Sequence, residues 1–112
     1  MKYIKKFESI EDVSIIKVGE YVMCIESTIE DDLLNNFLEN NIGRVVFHDT
    51  EFKNYPYKVT FDNIPNEVEN KYFIYVDYLN CSVRTFKGTE ILAHSKNKED
   101  ILPLLAATKY NL

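Results

Sequence analysis

The chain has 112 residues, 18 of them acidic and 13 basic, for a net charge of −5, and 46% of it is apolar. A chain this long buries roughly two-thirds of its unfolded surface, enough for one core but not two, so a single domain over 1–112 is expected. The acidic balance argues against non-specific grip on nucleic acid, no apolar run reaches the roughly 18 residues of a membrane span, and Met1–Phe7 lacks the pattern of a signal peptide; a cytoplasmic protein with no membrane partner is expected.

Taken in chain order, Met1–Phe7 reads as a basic extended segment, and Glu8–Lys17 mixes polar and β-branched residues before a turn at Val18-Gly19-Glu20. Tyr21–Glu26 alternates as a strand with both faces largely apolar. Ser27 and Thr28 offer side-chain oxygens to the amides of a following helix, with Glu30 or Asp31 as reciprocal partner. That helix is expected from about Ile29 to Glu39, packed through Leu33, Phe37 and Leu38. Gly43–Asp49 is the next strand, with Val45 and Phe47 on one face and Arg44, Val46 and His48 on the other.

After the turn-rich stretch Thr50–Pro56, Tyr57–Phe61 resumes alternation, with Tyr57, Val59 and Phe61 inward and Lys58 and Thr60 outward. A hairpin with a long tip is expected from that spacing. Pro65 behind Asn63 suits the start of a short helical turn. Tyr72–Tyr78 is aromatic and β-branched, as in a strand, and Ser82–Phe86 and Glu90–His94 read as a last hairpin turning at Lys87-Gly88-Thr89. The tail is helical from about 98 to 109, with Pro103 in its first turn or kinking it. The fold class is α+β: a small, mainly antiparallel, curled sheet or barrel with one packed helix (about 29–39) and the C-terminal helix.

No motif dictates a chemistry. Cys24 and Cys81 lack CxxC spacing and read as reduced, packed thiols. A metal site can be drawn from His48, Asp49, His94 and Cys24, but no spacing matches a known ligand set; neither a metal nor a cofactor is expected. Cys24 lies mid-strand among apolar residues, a poor setting for a nucleophile. The run Glu30-Asp31-Asp32 is explained by a helix start, where acids suit the dipole.

The richest grouping is cationic and aromatic: Arg44, His48, Tyr57, Lys58, Arg84 and Lys87, with Tyr55 and Phe86 nearby in sequence. Guanidinium forks hold phosphate at two points and phenols add contact area at low entropy cost, so these six are the candidate ligand-binding residues. A solvated strand face above core aromatics accounts for the same pattern. Fifteen aromatic side chains exceed what one small core needs, so some are expected at the surface, in a homo-oligomer contact.

Three stretches stand together: Met1–Lys5 leading to Val18–Cys24; Asn41–Val46 leading to Tyr57–Pro65; and Ser95–Ile101. In these the chain resembles a group of short uncharacterised proteins of bacteriophages and environmental viruses, over most of its length. Eleven Lys against two Arg, with many Ile, Asn and Tyr, is the residue usage of an AT-rich coding sequence, which bacteriophages and low-GC bacteria share. The run V-G-E-Y-V, N-I-G-R-V and Y-K-V-T-F is also similar to the first strands of Src-homology-3-like small barrels. The resemblance implies a host-cell cytoplasmic setting and no assigned activity. The expected function is non-catalytic capture of a small phosphorylated host ligand, such as a nucleotide, in counter-defence; the alternatives are a stoichiometric inhibitor of a host protein, such as a nuclease or transcription component, and a small hydrolase.

Overall fold

A computed structural model describes residues 16–52 and 54–110; the expected extended segment 1–7 and most of the stretch 8–17 lie outside these. Among the described residues, six strands and three helices occur in the order β1 (Tyr21–Cys24), α1 (Asp32–Asn40), β2 (Gly43–His48), β3 (Tyr57–Phe61), α2 (Asn66–Tyr72), β4 (Ile74–Val76), β5 (Cys81–Phe86), β6 (Ile91–Ser95) and α3 (Lys98–Tyr110). The strands form one antiparallel sheet in the order β4-β5-β3-β2-β1-β6. It is curled and does not close: among the described residues, β4 and β6 each have a partner strand on one side only. The expected α+β class with a packed helix and a C-terminal helix is found, as an open sheet and not a barrel.

The expected last hairpin is not formed. β5 pairs with β3 and β4, whereas β6 crosses to the far edge beside β1. In a flat sheet the two strands, four spacings apart, would lie about 19 Å from each other. The five residues from Phe86 to Ile91 span at most about 17 Å fully extended, and Gly88–Glu90 are wound into a 3-10 turn. The sheet therefore has to curl. The contact that marks the junction is the Ile25 N–H donating to the Glu90 carbonyl at 2.9 Å.

Register assigns the faces. Val22, Gly43, Val45, Val59, Phe61, Tyr57 and Phe86 share the inner face, where α1 and α2 supply Leu34, Phe37, Leu38 and Val68 to the main core. Met23 and Ala93 point the other way and pack with Ile101 of α3, so β1 is buried on both faces, as its sequence suggests. Phe37, Phe61 and Phe73 meet edge to face with centroids 5.3 to 6.2 Å apart.

Several local expectations are corrected. α1 starts at Asp32 and not Ile29, because Asp31 supplies the cap, accepting from the Leu33 N–H at 2.9 Å. The shorter helix turns Leu34, Phe37 and Leu38 inward and leaves Leu33 38% exposed. In β2 the ladder passes from Val45↔Val59 to Phe47↔Lys58, so Val46 is the extra residue of a bulge. The bulge inverts the end of the strand: Phe47 joins the outer face with Lys58, and His48 the inner face with Tyr57. Helix α2 extends through Tyr72, leaving only Ile74–Val76 of the expected 72–78 strand. Pro103 lies inside α3, beyond its first turn, where the Glu99 carbonyl lacks its usual i+4 donor. No helix among the described residues is long and apolar enough to cross a membrane.

Candidate functional site

The six expected ligand residues divide among three environments. Arg84 pairs with Val59 in the register, and Arg44 with Thr60, the next residue of the same strand. Because successive strand residues face opposite ways, the two arginines stand on opposite faces of the sheet. The structure does not bring them together as one fork.

Arg84 is committed to the protein itself. Its Nη2 lies 2.5 Å from Glu26 Oε1, its Nη1 donates to the Tyr72 carbonyl at 3.0 Å, and its guanidinium sits near the Tyr72 and Phe86 rings. The Glu26 side chain is only 3% exposed and that of Arg84 16%. Burial pushes the Glu26 carboxyl up, but bonds from the Thr28 hydroxyl, Arg84 and the Thr28 N–H outweigh it and hold the group below its ordinary value. A few residues away Glu90, 1% exposed, accepts from the Ser27 hydroxyl and N–H and from the Lys87 N–H. These two carboxylates moor the 25–28 loop to the end of β5 and the 3-10 turn.

Tyr57 is buried, and one face of its ring is occupied by His48, stacked at 4.6 Å. Lys87 stands over Tyr55 at 5.3 Å near the same end of the sheet. This rim therefore offers His48 and Lys87 to solvent, but not the Tyr57 face.

The outer face of β2 and β3 carries the remaining pair. Arg44 is exposed, and the Lys58 ammonium lies over the Phe47 ring at 4.7 Å. Phe47 meets Tyr78, 71% exposed, edge to face at 6.2 Å, and Ile74 of β4, 72% exposed, shares this face. Among the described residues neither Arg44 nor Lys58 has an acidic partner. Phe47 and Tyr78 escaped the sequence reading because only the bulge turns Phe47 outward. Nothing short-range in the sequence points to Glu26 either, whose partner is 58 positions away.

His94, Asp31 and Asp49 are held by structural partners. His94 Nδ1 lies 2.5 Å from Glu20 Oε1. Asp31 accepts from the Tyr72 hydroxyl and from Lys71 at 3.2 Å, tying α1 to α2. The Asp49 carboxylate caps the turn after β2, accepting from the Glu51 N–H at 3.0 Å. Burial, and then the neighbouring Glu90 carboxylate, push the Cys24 thiol far above its ordinary value, so it stays protonated and packs as an apolar group. Among the described residues, no three of His, Cys, Asp and Glu are grouped as a metal ion would need.

The chain matches no family model, no curated protein and no solved structure.

Proposed function

We propose that this protein is a non-catalytic binding protein that captures a small phosphorylated ligand of the nucleotide class on the outer face of β2 and β3. The observation that carries this reading is the arrangement of Arg44 and Lys58 on one sheet face, with no acidic partners among the described residues, beside the rings of Phe47 and Tyr78. A guanidinium and an ammonium give charge-assisted bonds to phosphate, and an exposed phenol gives a base a surface to stack on. The net charge of −5 disfavours long polyanions over small ones. The resemblance to short bacteriophage proteins supports a role in the host cytoplasm, where sequestering a signalling nucleotide needs no turnover.

Calorimetric titration of cyclic and linear nucleotides tests this. The unaltered protein is expected to bind at least one in the micromolar range, and Arg44→Ala or Lys58→Ala to abolish it. Absence of binding tighter than millimolar across the panel overturns the reading.

A second reading, stoichiometric capture of a host protein, is favoured by the edge hairpin, where Ile74, Tyr75 and Tyr78 are all more than half exposed. Exposed apolar groups on an edge strand suit strand addition by a partner or by a second copy of the chain. Tyr75→Lys separates the readings, because Tyr75 follows Ile74 on the edge strand and so faces away from Arg44 and Lys58: it would weaken capture of a protein or self-association seen by sedimentation, and leave nucleotide binding intact.

A further inference from the structure

A recess lined by neither Arg44 nor Lys58 lies between the C-terminal end of α1, the turn after β3 and one side of α3. It holds about 250 Å³. Its composition falls into three chemically distinct parts. Ile42, Leu102 and Leu105 give it an apolar wall. Asn40 and Asn41 line it with amides whose nitrogens each donate one bond, to the carbonyls of Asn36 at 2.6 Å and Phe37 at 2.8 Å. Each side chain keeps its carbonyl oxygen as an acceptor, beside one remaining N–H. The third part is a pair of opposite charges, Asp62 and Lys98, which line the same recess without pairing with each other or with any other described residue.

Electrostatics sharpens the division. The last turn of α1 carries no basic residue, so the partial negative charge of its C-terminus reinforces the acceptors of Asn40 and Asn41. One side of the recess, with these and Asp62, therefore suits a donor-rich cation. Lys98 begins α3, with Glu99 and Asp100 beside it in the first turn; of the three only Lys98 lines the recess, and its ammonium suits an anion. A neutral apolar molecule would satisfy neither side, and a simple anion or cation only one.

We propose that this recess is a binding site for a small zwitterion with an apolar side chain, that is, a free apolar amino acid. Its ammonium lies toward Asp62 and the α1 amides, its carboxylate toward Lys98 and its side chain on Leu102 and Leu105. The volume exceeds that of one such molecule, and the site is separate from the Arg44 and Lys58 surface, so neither reading depends on the other.

The test uses leucine as probe with two truncated relatives, 4-methylpentanoate, which lacks the ammonium, and 3-methylbutylamine, which lacks the carboxylate. In amide-resolved NMR titrations of the full chain, leucine is expected to give saturable shifts confined to 40–42, 62–63 and 98–105. Each relative is expected to bind at least tenfold more weakly. Asp62→Asn and Lys98→Gln should each weaken leucine at least tenfold with an unchanged unfolding midpoint. Leu102→Trp, a substitution at a half-exposed position, should fill the recess and block it. Equal binding by either truncated relative, or no saturable shift with leucine up to tens of millimolar, overturns the proposal.

Discussion

Arg84 and Glu26 meet at 2.5 Å across 58 residues of chain, with the carboxylate nearly sealed from water. The pair joins β5, the strand next to the β4 edge, to the loop that leads from β1 into α1. Because each is the other's only charged partner among the described residues, removing one leaves the opposite charge uncompensated in a poorly hydrated site.

Arg84→Ala should therefore destabilise the fold by about 2–4 kcal/mol, towards the lower end because part of the arginine still reaches water. Arg44→Ala, on the solvent side of β2, should change stability by less than about 0.5 kcal/mol. Urea unfolding of both variants checks this. Equal, small losses would mean that the Glu26 contact is not maintained in solution.

Stability should fall on acidification in a way traceable to Glu26. Its folded-state value lies below the ordinary 4.5, so the carboxylate contributes stability above that value and loses it as the pH falls through the lowered one. Asp31, held down by the Leu33 N–H and by Lys71, acts in the same direction. Urea midpoints measured from pH 7 to 3 should show the gap between the unaltered protein and Glu26→Gln narrowing as the pH drops. A gap of constant size would remove Glu26 as the source.

Gly43 is required by close packing. A methyl group added there would lie 2.5 Å from Val59 Cγ1 and under 3 Å from two carbons of the Phe61 ring. All three residues belong to the buried inner face of the sheet, so the collision cannot be relieved into solvent. Gly43→Ala should cost about 1–3 kcal/mol by overpacking, read as a drop in thermal midpoint; an unchanged midpoint would show that the β2–β3 ladder yields freely.

Leu34 and Leu33 are adjacent in sequence and opposite in burial. Leu34→Ala should cost about 2–5 kcal/mol and Leu33→Ala less than about 1 kcal/mol. Chemical unfolding of the two variants decides it, and the reverse order would mean that α1 is rotated by about one residue on the sheet.

Much of the fold was legible in the sequence because it depends on short-range pattern. The alternation of Tyr57–Phe61, the doubly apolar β1, the turn chemistry around Pro65 and the apolar repeat of α1 each express a periodicity of two or 3.6 residues that local sterics impose. The class of fold and the order of most elements rest on these. The position of Phe47 and His48 does not, because a single bulged residue at Val46 inverts the side chains after it. Nor does the placement of β6: the pattern of β5 and β6 is that of a hairpin, and only the curl of the whole sheet delivers β6 to β1. The candidate site shows the same division. The sequence places Arg44, His48, Tyr57, Lys58 and Arg84 on strands, as found, and Lys87 just past the end of one, but which face each one occupies is a matter of register. The carboxylate that takes Arg84 out of the binding set comes from 58 residues away, a separation over which local pattern carries no information and only tertiary packing decides.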